Sequence, residues 1–214
     1  LFDLGVSSVQ LDEKDRGFSF HNDAMLDMRM DTDAALSAKN VVNEYAEEEL
    51  RRIFFEYGEE KYSKSIARNI VKKRENGEIL STGELVDIVR TSIPEREKNK
   101  KGHPAKKVFQ AIRIEVNGEL DVLRDTLDDM IEVLNDDGRL CIITFHSLED
   151  RIVKNKFREA ANPCICPPDF PVCTCGRVPL GEIKTKKPIT ADERELIKNP
   201  RAKSAKLRIF CRKE

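Results

Sequence analysis

The hydrophobic pattern of this sequence changes twice along the chain, and this change limits the folds that the chain can adopt. Outside residues 33–104, short apolar runs alternate with amphipathic helical segments, as in "RLCIITFHS" followed by "LEDRIVKNKFREA". Between residues 33 and 104, apolar residues recur at helical spacing and each segment ends at Gly or Pro. Strands that alternate with helices are typical of a mostly parallel sheet covered by helices. The sequence therefore predicts an α/β domain that contains an all-helical insertion.

This pattern divides the chain into three segments. Residues 1–32 and 105–214 belong to the predicted α/β domain, and residues 33–104 form the helical insertion. The second α/β segment contains a cysteine-rich loop at residues 161–187. A chain of 214 residues is long enough for one domain with an insertion of this size.

Polar residues close two of the predicted strands. The segment from Asp3 to Ser8 closes the first strand, and His146 follows the apolar run of a later strand. Ligands bind beyond the carboxyl ends of parallel strands, so these residues are candidates for an active site. Two structural alternatives stay open, because Asp3 also suits a turn and His146 also suits a half-buried, hydrogen-bonded position. Ser147 and Asp150 are predicted to cap the helix that follows.

The stretch "RGFSFHNDAMLDMRMD" mixes charged residues with aromatic and methionine side chains. One interpretation is a structured loop whose apolar residues fill the core beneath the insertion. The other is a binding surface on which a base stacks against Phe18 while the guanidinium of Arg29 meets a phosphate. Spacing alone does not separate these two interpretations.

Charge is segregated along the chain although the net charge is only -1, from 38 Lys and Arg against 39 Asp and Glu. Basic runs lie at residues 61–74, 98–107 and 198–213, and the first run ends in Lys72, Lys73 and Arg74. A single basic run is usually a solvated helix face. Three such runs in a nearly neutral chain favour a partner that carries phosphates, such as RNA.

Four cysteines lie close together in "CICPPDFPVCTC": Cys164, Cys166, Cys173 and Cys175. Four thiols in a short loop match the stoichiometry of tetrahedral structural zinc. The C-x-C spacing is tighter than the usual C-x-x-C, so a metal-free loop of reduced cysteines is an equal alternative. No apolar run is long enough to span a membrane and no secretory signal leads the chain, so we expect a cytoplasmic protein with free thiols.

Six blocks of the sequence, in order, resemble the MraW/RsmH family: "DLGVSSVQLD", "RGFSF", "LDMRMD", "HPAKKVFQAIRIEVNGEL", "ITFHSLEDR" and "NPRAKSAKLRIF". Members of this family are S-adenosylmethionine-dependent enzymes that methylate the exocyclic amine of a cytidine in small-subunit (16S) ribosomal RNA. The resemblance implies a Rossmann-like class I methyltransferase with a helical insertion after the fourth strand. It also implies S-adenosylmethionine as cofactor and ribosomal RNA or the small ribosomal subunit as partner.

The resemblance, the chemistry of methyl transfer and the distribution of charge each suggest roles for particular residues. By their place in the "DLGVSSxQLD" block, Asp3 and Gln10 match residues that contact S-adenosylmethionine. From the chemistry of the reaction, Asp3, Ser7, Ser8 or a backbone carbonyl of that turn would accept a hydrogen bond from the reacting amine, and His146 would orient the base or accept a proton. Phe18, Arg29 and the basic residues Lys72, Lys73 and Arg74 would contact the RNA.

The upstream Gly-Gly-His loop of the family is not in this chain. The expectation is that the chain starts inside the fourth strand of a longer enzyme, binds the cofactor weakly and is inactive by itself. The alternative function is a non-catalytic RNA-binding or ribosome-assembly module. The oligomeric state stays open, with a dimer as one option.

Overall fold

The computed structural model describes residues 1–98, 102–167 and 172–213. Lys100 and Lys101 of the second basic run and residues 168–171 of the cysteine-rich loop lie outside these ranges. The chain forms two compact units, which we call the sheet unit (Leu1–Gly5 with Leu120–Glu214) and the helical unit (Val6–Glu119). Within the described ranges, no helix is long and apolar enough to cross a bilayer.

The helical unit consists of short helices joined by tight turns. They are α1 (Ser8–Asp12), α2 (Ala38–Glu44), α3 (Glu47–Glu56), α4 (Ser63–Arg74), α5 (Thr82–Ser92), α6 (Glu95–Lys98) and α7 (Lys106–Asn117). Serine side chains start several of them: Ser37 accepts a hydrogen bond from the backbone of Asn40, and Ser81 accepts one from Glu84. Such capping boxes satisfy backbone N–H groups that a helix leaves unpaired at its start.

The core of the helical unit is wider than the predicted insertion at residues 33–104. Leu50, Ile53 and Phe54 of α3 are fully buried. Met28 and most apolar residues of α7 lie in the same core. Residues 6–32 and 105–119, which the sequence pattern assigned to the α/β domain, therefore pack with the helices because their apolar side chains complete this core.

The sheet unit contains four strands, β1 (Phe2–Asp3), β2 (Arg139–Thr144), β3 (Gly181–Ile183) and β4 (Lys206–Arg212), in the order β1-β2-β4-β3. Its helices are α8 (Glu119–Glu132), α9 (Ser147–Ala161) and α10 (Glu193–Lys198). An apolar core joins α8, β2, α9 and β4 through Leu123, Leu127, Ile142, Phe157 and Phe210.

The sheet is mixed, so the prediction of a mostly parallel sheet is wrong for the described strands. β1 and β2 are parallel, whereas β4 runs antiparallel to both β2 and β3. β3 and β4 are consecutive neighbours, and only short helices lie between them, α10 with six residues and a 3₁₀ helix at Pro200–Ser204 with five. The chain therefore returns in the opposite direction, as in a hairpin, rather than crossing over the sheet through a long helix.

Candidate active site

Two of the predicted active-site residues lie at the same edge of the sheet. Asp3 ends β1, and His146 comes two residues after the end of β2. The strands are parallel, with Asp3 opposite Ile143, and the backbone N–H of Leu4 donates to the carbonyl of Ile143 at 3.1 Å. Because the carboxyl ends of parallel strands share an edge, the structure places Asp3 and His146 on one side of the sheet unit. Asp3 is exposed there.

His146 is the N-cap of α9, so the prediction that Ser147 and Asp150 form this cap is wrong by one residue. The Nδ1 atom of His146 accepts a hydrogen bond from the backbone N–H of Glu149 at 3.4 Å. In return, the Glu149 carboxylate accepts from the backbone N–H groups of Phe145 at 2.8 Å and of His146 at 3.3 Å. An imidazole nitrogen that accepts a hydrogen bond can replace the serine hydroxyl of an ordinary capping box.

The second ring nitrogen of His146 is enclosed, since the side chain is only 8% exposed. Because Nδ1 accepts a hydrogen bond, the proton of the neutral ring lies on Nε2. Nε2 is 3.2 Å from Oε1 of Glu149, but the direction does not suit a hydrogen bond, and within the described part of the chain Nε2 has no hydrogen-bond partner. A buried donor without a partner is costly and suggests that a ligand supplies the acceptor.

Glu149 is a residue of this site that the sequence reasoning missed. It is buried, with 2% of its surface exposed, and its carboxylate fixes the turn between β2 and α9. The signal that could have found it is its place three residues after His146, which is the spacing of a capping box.

Ser7 and Gln10 belong to the helical unit, where they start α1. The backbone N–H of Ser7 donates to Oε1 of Gln10 at 2.9 Å, and the backbone N–H of Gln10 donates to Oγ of Ser7 at 3.3 Å. This reciprocal pair gives both residues a structural role in the first turn of the helix. The hydroxyl hydrogen of Ser7 and the side-chain NH₂ of Gln10 take no part in the cap.

For Phe18 and Arg29 the contacts favour the interpretation in which this segment is a structured loop. Phe18 is 7% exposed in the core of the helical unit, and the Arg16 guanidinium lies 5.8 Å from its ring centroid. Arg29 donates to both carboxylate oxygens of Asp27, at 2.8 and 2.9 Å, and to the carbonyl of Ala34 at 2.8 Å. The hydrogen bond from Arg29 lowers the pKa of Asp27.

The basic end of α4 contains two kinds of side chain. Arg74 donates to the carbonyls of Val42 at 2.8 Å and Tyr45 at 2.7 Å, so it closes the end of α2. Lys72 and Lys73 are exposed in the last turn. Of the three basic residues predicted to bind RNA at this end of α4, Lys72 and Lys73 are exposed and Arg74 is only partly exposed.

The four clustered cysteines meet in space. Their Sγ atoms all lie within 4.8 Å of one another, and every thiol of the cluster is free. A hydrogen bond from the backbone N–H of Arg177, with a second one from the backbone of Ile165, lowers the pKa of Cys175 to about 6. The backbone N–H of Cys175 favours the Cys173 thiolate, but the neighbouring sulfurs outweigh it and raise the pKa of Cys173 to about 12.

Comparison with known proteins assigns the family. The sequence model of the MraW methylase family matches residues 1–213. The chain is 57% identical over 211 residues to "Ribosomal RNA small subunit methyltransferase H 2" of Agathobacter rectalis, which covers 98% of this chain and 67% of that protein. It is 59% identical over 213 residues to "Ribosomal RNA small subunit methyltransferase H" of Clostridium botulinum (strain Loch Maree / Type A3), covering 100% of this chain and 68% of that protein.

A third relative, "Ribosomal RNA small subunit methyltransferase H" of Brevibacillus brevis, is 54% identical over 209 residues, or 98% of this chain and 67% of that protein. The chain therefore spans about two thirds of the length of these three relatives. On the match over residues 1–213 and these identities, the chain belongs to the MraW methylase family.

Proposed function

We propose that this chain carries part of an enzyme that methylates the exocyclic amine of a cytidine in small-subunit ribosomal RNA, with S-adenosylmethionine as methyl donor. The observation that carries this proposal is the match to the methylase family over residues 1–213, together with relatives whose names specify ribosomal RNA of the small subunit. We place the reaction in the cytoplasm, with the RNA or the assembling subunit as partner.

The chemistry of the sheet edge fits this reaction. When bound, S-adenosylmethionine would supply a methyl group from its sulfonium sulfur, which keeps the electron pair of the S–C bond that breaks. The cytosine amine is a weak nucleophile because its lone pair is delocalised into the ring. We assign to Asp3 the role of accepting a hydrogen bond from this amine, which localises the lone pair and receives the proton that nitrogen loses as the N–C bond forms. The exposed carboxylate also fits the hydroxyl and ammonium groups of the cofactor.

His146 would support the same step. The Nε2–H of His146, which has no hydrogen-bond partner among the described residues, is suited to donate to an acceptor on the base and hold it in position. Ser7 and Gln10 would act mainly by fixing the first turn of α1, as their mutual hydrogen bonds indicate. The exposed Lys72 and Lys73 would contact phosphates, while Phe18, Arg29 and Arg74 would act by shaping the helical unit.

The test uses the gene product that contains residues 1–214, because the family resemblance assigns only Asp3 and Gln10 of this chain to the cofactor. Small subunits from cells that lack the gene are incubated with the protein and labelled S-adenosylmethionine, and nucleosides are identified by mass spectrometry. We expect N4-methylcytidine, and we expect Asp3→Ala to reduce its formation at least about 100-fold without changing the melting temperature.

Asp121→Ala serves as the control, because Asp121 is exposed on α8 and, among the residues that the structure describes, pairs only with Arg124 of its own helix. Full activity of Asp3→Ala would contradict the role of this carboxylate. A wild-type protein that binds the subunit but transfers no methyl group would favour the non-catalytic RNA-binding or assembly module.

A further inference from the structure

The sulfur atoms of the cysteine cluster have the spacing of a metal site. Cys173 Sγ lies 3.5 Å from Cys164, 3.8 Å from Cys166 and 3.4 Å from Cys175, and the sulfurs of Cys175 and Cys164 are 4.0 Å apart. Four sulfurs at about 2.3 Å from a tetrahedral Zn²⁺ are separated by about 3.8 Å from one another. The separations scatter around this value, and all of them are too long for a disulfide bond of about 2.05 Å.

The loop that holds the cluster has little else to order it. It connects α9 to β3, and residues 162–167 and 172–180 contain no helix, strand or buried residue. Ile165, Val172 and Val178 are 66%, 69% and 72% exposed. At its end the loop is tied to α9 by a hydrogen bond from the N–H of Leu180 to the carbonyl of Ala160 at 2.8 Å. Without a core, fixing such a segment requires a cross-link that offsets the loss of conformational entropy.

We propose that Cys164, Cys166, Cys173 and Cys175 bind one Zn²⁺ ion in a structural site. Thiolate ligands in a tetrahedral set suit Zn²⁺, and four protein ligands leave no open position for a substrate or water. Binding forms four Zn–S bonds and releases the thiol protons to solvent, with no change in oxidation state. The backbone N–H of Thr174 points at Cys166 Sγ, 3.4 Å away, and such N–H donors stabilise bound thiolates.

This site is independent of methyl transfer, since its ligands lie in the loop after α9 and not at the sheet edge that carries Asp3 and His146. Its consequence is local: the metal would hold the two C-x-C segments together and fix the approach of the chain to β3.

The experiment measures metal in the gene product purified under reducing conditions without added metal. Mass spectrometry of the metals is expected to find about one zinc ion per chain. The double variant Cys164→Ser/Cys173→Ser should lose it, while Cys141→Ser should retain it because Cys141 lies in β2, outside the cluster. Replacement by Co²⁺ should give the strong visible absorption of a tetrahedral tetrathiolate site.

A second measurement covers the case in which the double variant does not fold. Wild-type protein is treated with a chelator under reducing conditions, and cleavage within residues 162–180 by a protease is followed before and after zinc is restored. Chelation should speed cleavage at least about tenfold, and zinc should reverse the effect. Protein that contains no zinc while its four thiols are reduced, iron in place of zinc, or zinc retained in the double variant would each overturn the proposal.

Discussion

A buried ion pair in the sheet unit joins two residues that are 58 positions apart. Nε of Arg208 donates to one carboxylate oxygen of Asp150 at 2.6 Å, and Nη2 donates to the other at 3.1 Å. The two side chains are 8% and 12% exposed. Burial alone would raise the pKa of Asp150, but the hydrogen bonds and charge of Arg208, with help from Lys206, leave it below its usual value.

We expect Asp150→Asn to lower the free energy of unfolding at pH 7 by about 3 kcal/mol, because it leaves the Arg208 charge buried without its partner. The folded pKa of Asp150 is below the unfolded one. The stabilisation from Asp150 is therefore complete above the unfolded pKa of about 4, and it is lost as the pH falls through the folded pKa. Denaturant titrations of wild type and variant should converge in acid.

The matched control for this pair is Asp128→Asn. It removes an ion pair between Asp128 and Lys156 in which the Asp128 side chain is 61% exposed. Exposed pairs contribute at most about 1 kcal/mol, so this variant should change stability little at any pH. An equal effect of the two substitutions would show that the Asp150 pair is no better shielded from water than the surface pair.

At the scale of one element, α9 begins at an unusual cap, the imidazole of His146, whose Nε2–H has no hydrogen-bond partner among the described residues. His146→Ala removes the cap and should lower the free energy of unfolding by about 1 kcal/mol, whereas His146→Asn should recover most of this loss because Asn is a good N-cap. Asn cannot reproduce the Nε2–H of the imidazole. We therefore expect His146→Asn to restore the melting temperature but not kcat for methyl transfer.

Melting curves and steady-state kinetics of the two His146 variants separate these roles. If Asn restores stability and activity together, His146 is only a cap. If Asn restores neither, the hydrogen bond between Nδ1 and the backbone of Glu149 does not stabilise α9 in the way that its geometry indicates.

The strands β2 and β4 show how much of an element can be predicted from the sequence. The apolar run "RLCIIT" predicts one strand and the alternating pattern of "AKLRIFCRK" predicts another, and the structure has β2 and β4 there. The direction of β4 was not predictable, because it depends on which strand lies beside it and not on its own side chains. Likewise, residue order predicted that Asp3 and His146 share a sheet edge, but the burial of Phe18 depends on contacts between distant segments.

For the whole molecule, a net charge of -1 conceals which cations are available to a partner. Arg74 is occupied by the carbonyls of Val42 and Tyr45, whereas Lys72 and Lys73 are exposed beside it. We expect Lys72→Glu/Lys73→Glu to weaken binding to small-subunit RNA. The slope of log affinity against log salt should fall by about 0.7–0.9 for each phosphate that the variant no longer neutralises.

Arg74→Ala is the neighbouring control for the lysine variant. It should lower the melting temperature, because it leaves the last carbonyls of α2 without their donor, and it should leave the salt slope unchanged. Filter-binding titrations at several salt concentrations measure both variants. An unchanged slope in the lysine variant would mean that this end of α4 is only a solvated surface.

The pairing of β2 with β4 has a consequence for the time course of synthesis. Thr144 lies opposite Lys206, 62 residues later in the chain. At about 5–20 residues per second, the ribosome needs about 3–12 s to synthesise the chain from Thr144 to Lys206, and β2 has no β4 to pair with during this time. During that interval β2 has an unpaired edge, and such an edge can pair with other chains in aggregates or bind chaperones. The helices α3 and α4 are close in sequence, so the helical unit can begin to pack without such a delay.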